Sequence, residues 1–267
     1  MSMAAHSIDP RQLRRIIIQQ SRRARVGHIG PALSIADLIA VLYGQVLRIP
    51  APRDPERDRF VLSKGHAALA LYAALRLKGF VTQEQLDTFC ADGTLLGVHP
   101  ERSLPGVDFS TGSLGQGLSF GAGAALAARL EGSARRVCVL ISDAECNEGS
   151  LWEAVMFAAH HRLSALTAIV DDNGQQALGK TAEVLDLEPL AEKWRAFGWH
   201  TVEVDGHDVA ALREAFALPH PEAPKVIIAR TVCGKGVSFM EGQVKWHYLP
   251  MSEGEYLSAC AELETSP

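Results

Sequence analysis

VCVLISDAECNEG at residues 137–149 and LTAIVDDNG at residues 166–174 carry the fold of this chain. Each opens with an unbroken apolar run and closes on acidic residues. An uninterrupted run of β-branched and aliphatic residues suits a parallel strand covered on both faces, whereas a half-exposed strand would alternate with polar residues. Further strands are expected at Arg59–Ser63, Trp199–Val204 and Lys225–Val232. Between them lie helical stretches: Asp9–Val26 with a capping aspartate and a first-turn proline, Ala36–Leu47 capped by Ser34, Ser113–Leu130, Leu187–Phe197 and Val209–Phe216. Strand alternating with helix predicts an α/β, doubly wound, mostly parallel sheet whose ligands bind beyond the carboxyl ends of the strands. Gly27–Pro31 reads as a loop that carries His28, and His66 sits at a strand-to-helix turn. Gly115, Gly117, Gly121 and Gly123 predict a helix packed very close to its neighbour.

At 267 residues the chain can bury a full core without disulfide or metal staples, and no linker or repeat divides it, so residues 1–267 are read as a single domain. The formal net charge of −5 and the scattered Lys and Arg residues argue against a nucleic-acid groove. Five cysteines, Cys90, Cys138, Cys146, Cys233 and Cys260, show no CxxC spacing and fit reduced thiols. No apolar run approaches the roughly 20 residues a membrane span needs, and no signal peptide is evident. A cytoplasmic protein is expected.

The chemistry concentrates where the two quoted stretches end. Asn173 follows Asp143 by 30 residues. A carboxylate and an amide oxygen on adjacent strand ends, completed by a loop carbonyl and diphosphate oxygens, would make an octahedral shell for Mg²⁺. The helix opening near Glu148 would favour the same anion through its dipole.

At this point the sequence resembles the transketolase family. The family's Gly-Asp-Gly motif and its Asp-Asn pair about 30 residues later correspond to Ser142-Asp143-Ala144 and Asp172-Asn173, and further blocks follow in order: GHIG at 27, SKGH at 63, VHPE at 98, STGSLGQG at 110, NEG at 147, GKGV at 234 and WH at 246. The resemblance implies that Asp143, Asn173 and the Gln175 carbonyl hold Mg²⁺. It implies that His66, Gly112, Ser113, Leu114, Ala144, Asn173 and His247 contact thiamine diphosphate, and that His28, His99 and His247 orient and protonate the sugar. Imidazoles with a pKa near 6.5 would switch readily between donor and acceptor there. Glu148 and Glu153 match buried acids that face the other active site across a subunit interface, with a raised pKa expected from burial.

The implied reaction moves a two-carbon ketol unit from a ketose (phosphate) to an aldose (phosphate), the cofactor acting as electron sink. The likeness covers only the family's N-terminal, pyrophosphate-binding half. It therefore implies a second, C-terminal subunit that supplies the pyrimidine-binding and C-terminal domains, in an α2β2 heterotetramer. Two departures stand out. Ser142 and Ala144 replace the usual glycines, and Ile29 replaces a common proline. Two other readings stay open: the α subunit of a 2-oxo-acid dehydrogenase, against which the GHIG, SKGH and VHPE blocks weigh, and a non-catalytic scaffold, for which Ser142 and Ala144 are the hint. Lys235 is expected either near the diphosphate or in a solvated loop. His6, His160, His161, His200, His207 and His220 are assigned no role, and Cys146 no nucleophilic one.

Overall fold

The computed structural model describes residues 7–265. Five strands form one parallel sheet in the order β1-β2-β3-β7-β6. They are β1 (Arg59–Leu62), β2 (Val137–Ser142), β3 (Leu166–Asp172), β6 (His200–Asp205) and β7 (Lys225–Arg230), while β4 (Gln175–Gln176) and β5 (Gly179–Lys180) pair as a small separate ladder. Helices in chain order are α1 (Pro10–Ala24), α2 (Ile29–Ser34), α3 (Ala36–Val41), α4 (Ala68–Leu77), α5 (Gln83–Leu86), α6 (Gly117–Leu130), α7 (Gly149–His160), α8 (Thr181–Val184), α9 (Leu190–Ala196), α10 (Val209–Ala217), α11 (Lys245–Tyr248) and α12 (Glu253–Thr265).

The period-2 geometry of a strand explains why the quoted runs are apolar throughout. Val137, Val139 and Ile141 face a layer built by α6, α7 and α9, whereas Cys138 and Leu140 face the opposite layer of α1, α3 and α4. Both sides are dry, so every position of β2 is buried. In β3, Leu166, Ala168 and Val170 join the first layer and Ile169 the second. The register pairs Ser142 with Asp171, which sets the ends of β2 and β3 side by side.

The small residues of α6 do what was expected at one position and not at another. A methyl group built on Gly121 would stand 2.2 Å from Val139 Cγ2, so the helix lies flush on β2, but one on Gly123 would meet nothing within 4 Å. That helix starts at Gly117 rather than Ser113, because Gly115 takes a left-handed turn (φ +81°) where a side chain would also strike Glu148 Cβ. The 27–31 stretch departs further from expectation. Helix α2 begins at Ile29 and absorbs Pro31, whose missing N–H falls among the first-turn groups that have no helical partner. Ser34 ends this helix instead of capping the next. Its hydroxyl lies within bonding distance of the Pro31 carbonyl and of Asp171. The Ala36–Leu47 helix is α3 followed by a turn of π-helix over Leu42–Val46.

Candidate active site

A cavity of about 160 Å³ opens at the carboxyl ends of the strands. His28, His66, Gly112, Leu114, Ala144, Asn173, Gln175 and His247 line it, together with Lys64, Ser142 and Cys233. Residues from near both ends of the chain thus share one wall. The turn before α2 brings His28, which holds a left-handed conformation (φ 58°) seldom taken by a residue with a side chain. Close approach places His247. The backbone of Gly27 touches the Tyr248 carbonyl so tightly that a Cβ at 27 would lie 2.1 Å from it, and buried Trp246 anchors α11 through its indole N–H to the Phe239 carbonyl at 3.2 Å.

The three rings form a near-equilateral cluster, with centroids 5.5, 5.5 and 5.2 Å apart. Burial pushes all three imidazoles down, and nearby positive charge adds to it, from His99 at His28, from Lys64 and the other rings at His66, and from His28 and Lys64 at His247: His28 is lowered, His66 falls well below its usual value and His247 reaches about 4. The switching imidazoles near 6.5 anticipated for His28 and His247 are therefore corrected. Around neutral pH these rings are uncharged hydrogen-bonding groups. Among the described residues, His28 Nδ1 is buried with no hydrogen-bond partner.

His99 stands apart. It lines a neighbouring groove with Ser113, Glu101 and Phe120, and its ring abuts Gly112, the residue common to groove and cavity. Glu148 and Glu153 are both exposed on this chain. The buried glutamate of the motif is Glu145. Its carboxylate accepts from Ser63 Oγ at 2.5 Å, Gly115 N at 2.9 Å and Ser142 N at 2.9 Å, tying the 112–117 loop to the ends of β1 and β2, and burial raises its pKa. Its sequence neighbours Asp143, Asn147 and Glu148 are equally polar, so no local signal distinguishes it. The same holds for Lys64, wholly buried and paired with buried Asp171. Burial alone would raise Asp171, but Lys64 and the hydroxyl and amide donors around it hold it below the ordinary carboxylate value. Lys235 lies outside the cavity lining, 3.4 Å from Glu241. A 3₁₀ turn at Ala144–Asn147 separates the cavity wall from α7.

Residues 7–265 match the family described as transketolase, thiamine diphosphate binding domain. The chain belongs to the transketolase family. It is similar to the 6-deoxy-6-sulfo-D-fructose transketolase subunit SqwG of Clostridium sp. (strain MSTE9), 43% identical over 94% of each chain. It is also similar to an apulose-4-phosphate transketolase subunit of Phocaeicola vulgatus, 37% identical over 98% of this chain and 95% of that one. Among solved structures, transketolase from Leishmania mexicana superposes with a TM-score of 0.87 at 32% identity, covering 96% of this chain and 40% of the other. The chain thus spans about two-fifths of the full-length transketolases it matches, and nearly all of the relatives named as subunits.

The residues present fit a cation-held diphosphate. Asp143 is completely buried, yet among the described residues it has only the Ala144 N–H and the Thr181 hydroxyl as side-chain hydrogen-bond partners and no cation within 4 Å. Burial, with Asp171 nearby, raises it to about 7. A divalent ion would relieve that unbalanced acid. The two replaced glycines are no obstacle: neither Ser142 nor Ala144 has positive φ, so a side chain costs nothing in backbone strain there.

Proposed function

We propose that this chain is the thiamine-diphosphate-binding component, a single domain over residues 1–267, of a two-subunit transketolase that moves a two-carbon ketol unit from a ketose (phosphate) to an aldose (phosphate). The observation that carries this reading is the shared cavity wall of His28, His66, His247, Ala144, Asn173 and Gln175. Asp143, Asn173 and the Gln175 carbonyl would hold Mg²⁺, and Gly112, Ser113, Leu114, Ala144 and His66 would contact the cofactor. When bound, the thiazolium supplies the electron sink for the two-carbon fragment. His28 and His247 would orient sugar hydroxyls as neutral donors or acceptors, and His99 would meet the sugar from the adjoining groove.

The partner subunit would cover apolar surface on α6 and α7. Phe120 and Leu130 on α6, and Met156 and Phe157 on α7, are 43, 78, 49 and 41% exposed, and Glu148 and Glu153 flank them. Burial of those two acids then belongs to the assembly, read here as a cytoplasmic α2β2 heterotetramer. Names of similar chains as transketolase subunits support a partner.

Mixing the chain with its second subunit, thiamine diphosphate and Mg²⁺ is expected to yield ketol transfer that EDTA abolishes. Asp143→Ala and Asn173→Ala should each weaken cofactor binding by at least about 100-fold in calorimetry. Unchanged affinity and turnover in both variants would sink the reading; no heat and no activity with the native chain would favour a scaffold.

A further inference from the structure

Donors from four separate segments close on the carboxylate of Asp171. Its Oδ1 accepts from Thr231 Oγ1 at 2.5 Å, and its Oδ2 from Ser34 Oγ at 2.8 Å, from Asn173 Nδ2 at 2.8 Å and from Lys64 Nζ. Such saturation would suit a purely structural ion pair, but the geometry at Asn173 carries a further consequence. An ionised carboxylate can only accept, so the amide must turn its NH₂ toward Asp171. The backbone N–H of Gln175 can only donate, and it lies 3.0 Å from Asn173 Oδ1. Two partners of opposite, fixed polarity therefore impose one orientation on a side chain that lines the cavity. Its oxygen keeps a free lone pair for a cation. Turned over, the amide would present N–H groups instead.

We propose that Asp171 is a positioning residue that holds the Asn173 oxygen toward the divalent cation and thereby requires an amide, rather than a carboxylate, at position 173. This deepens the cofactor reading above and rests on it. For a bare oxygen ligand, aspartate at 173 would bind a dication better, since charge adds to affinity. With Asp171 alongside, the same change sets two carboxylates at hydrogen-bonding distance with no proton donor between them. The two views predict opposite signs.

The test is Mn²⁺ binding in the presence of thiamine diphosphate, followed by loss of the free-ion EPR signal, on the full chain alone and with its second subunit. Asn173→Asp is expected to weaken Mn²⁺ binding about 10- to 100-fold, the usual range for a lost supporting partner. The exchanged pair Asp171→Asn with Asn173→Asp restores one donor facing one acceptor, and is expected to recover most of that loss. Urea midpoints without metal separate unfolding from mispositioning: the exchanged pair leaves Lys64 without its carboxylate and lowers the midpoint, whereas recovery of Mn²⁺ binding by the folded protein reports complementarity at 173. Equal or tighter Mn²⁺ binding by Asn173→Asp, or no recovery in the exchanged pair while circular dichroism shows it folded, would overturn the role of Asp171. No Mn²⁺ binding by the native chain in either form would overturn the cofactor reading and this role together.

Discussion

Lys64 is the one lysine of the cavity wall, and its charge is fully withdrawn from water. Removing one partner of such a pair leaves the other as an unbalanced buried ion, which typically costs about 3–5 kcal/mol. Lys64→Met is therefore expected to destabilise the chain by about that amount in urea unfolding, far more than Lys180→Met, whose exposed pair with Glu183 contributes under about 1 kcal/mol. At His247 the effect is one of pH. Its folded pKa of about 4 lies below the unfolded value of 6.5, so between those values the unfolded chain binds more protons. Stability should then fall as pH drops from about 6.5 toward 4. His247→Gln is expected to flatten the change in urea midpoint between pH 7 and pH 5; an unaltered slope would show that the ring is not held neutral by the fold.

Helix α6 poses a paired test of packing. Gly121→Ala drives a methyl group into Val139 and is expected to cost about 1–3 kcal/mol by overpacking. Gly123→Ala, two residues on, meets open space and should stabilise the isolated chain by about 0.5–1 kcal/mol through helix propensity alone. Thermal denaturation of both variants decides whether the helix sits as close to β2 as described. Sequence periodicity could not distinguish the two glycines, since both follow the same small-residue pattern. Nor could local rules find α2. Gly30 and Pro31 read as breakers, yet the segment is helical because its six residues are all buried and Pro31 sits where a helix needs no donor.

For the whole molecule, the exposed apolar strip on α6 and α7 is the feature with the largest consequence. Glu153, Met156, Phe157 and His160 recur at helical spacing on one exposed face of α7. Phe157→Asp is expected to leave the urea midpoint of the isolated chain within about 0.5 kcal/mol. It should nevertheless prevent association with the second subunit, as measured by light scattering on a sizing column. What the sequence by itself determined was the parallel sheet, from two unbroken apolar runs, and the acidic and amide residues at their ends. Local pattern and motif order suffice for these, because they depend on backbone period and on neighbours within one stretch. Tertiary structure alone decided which acids are buried. Glu145 lies inside and Glu148 outside although three residues separate them, and Asp171 meets donors 137 and 60 residues away. It alone also decided that three histidines from distant segments share one cluster in which burial lowers the pKa of each. Desolvation and mutual repulsion depend on what the folded chain brings within a few ångströms, and no local spacing encodes that distance.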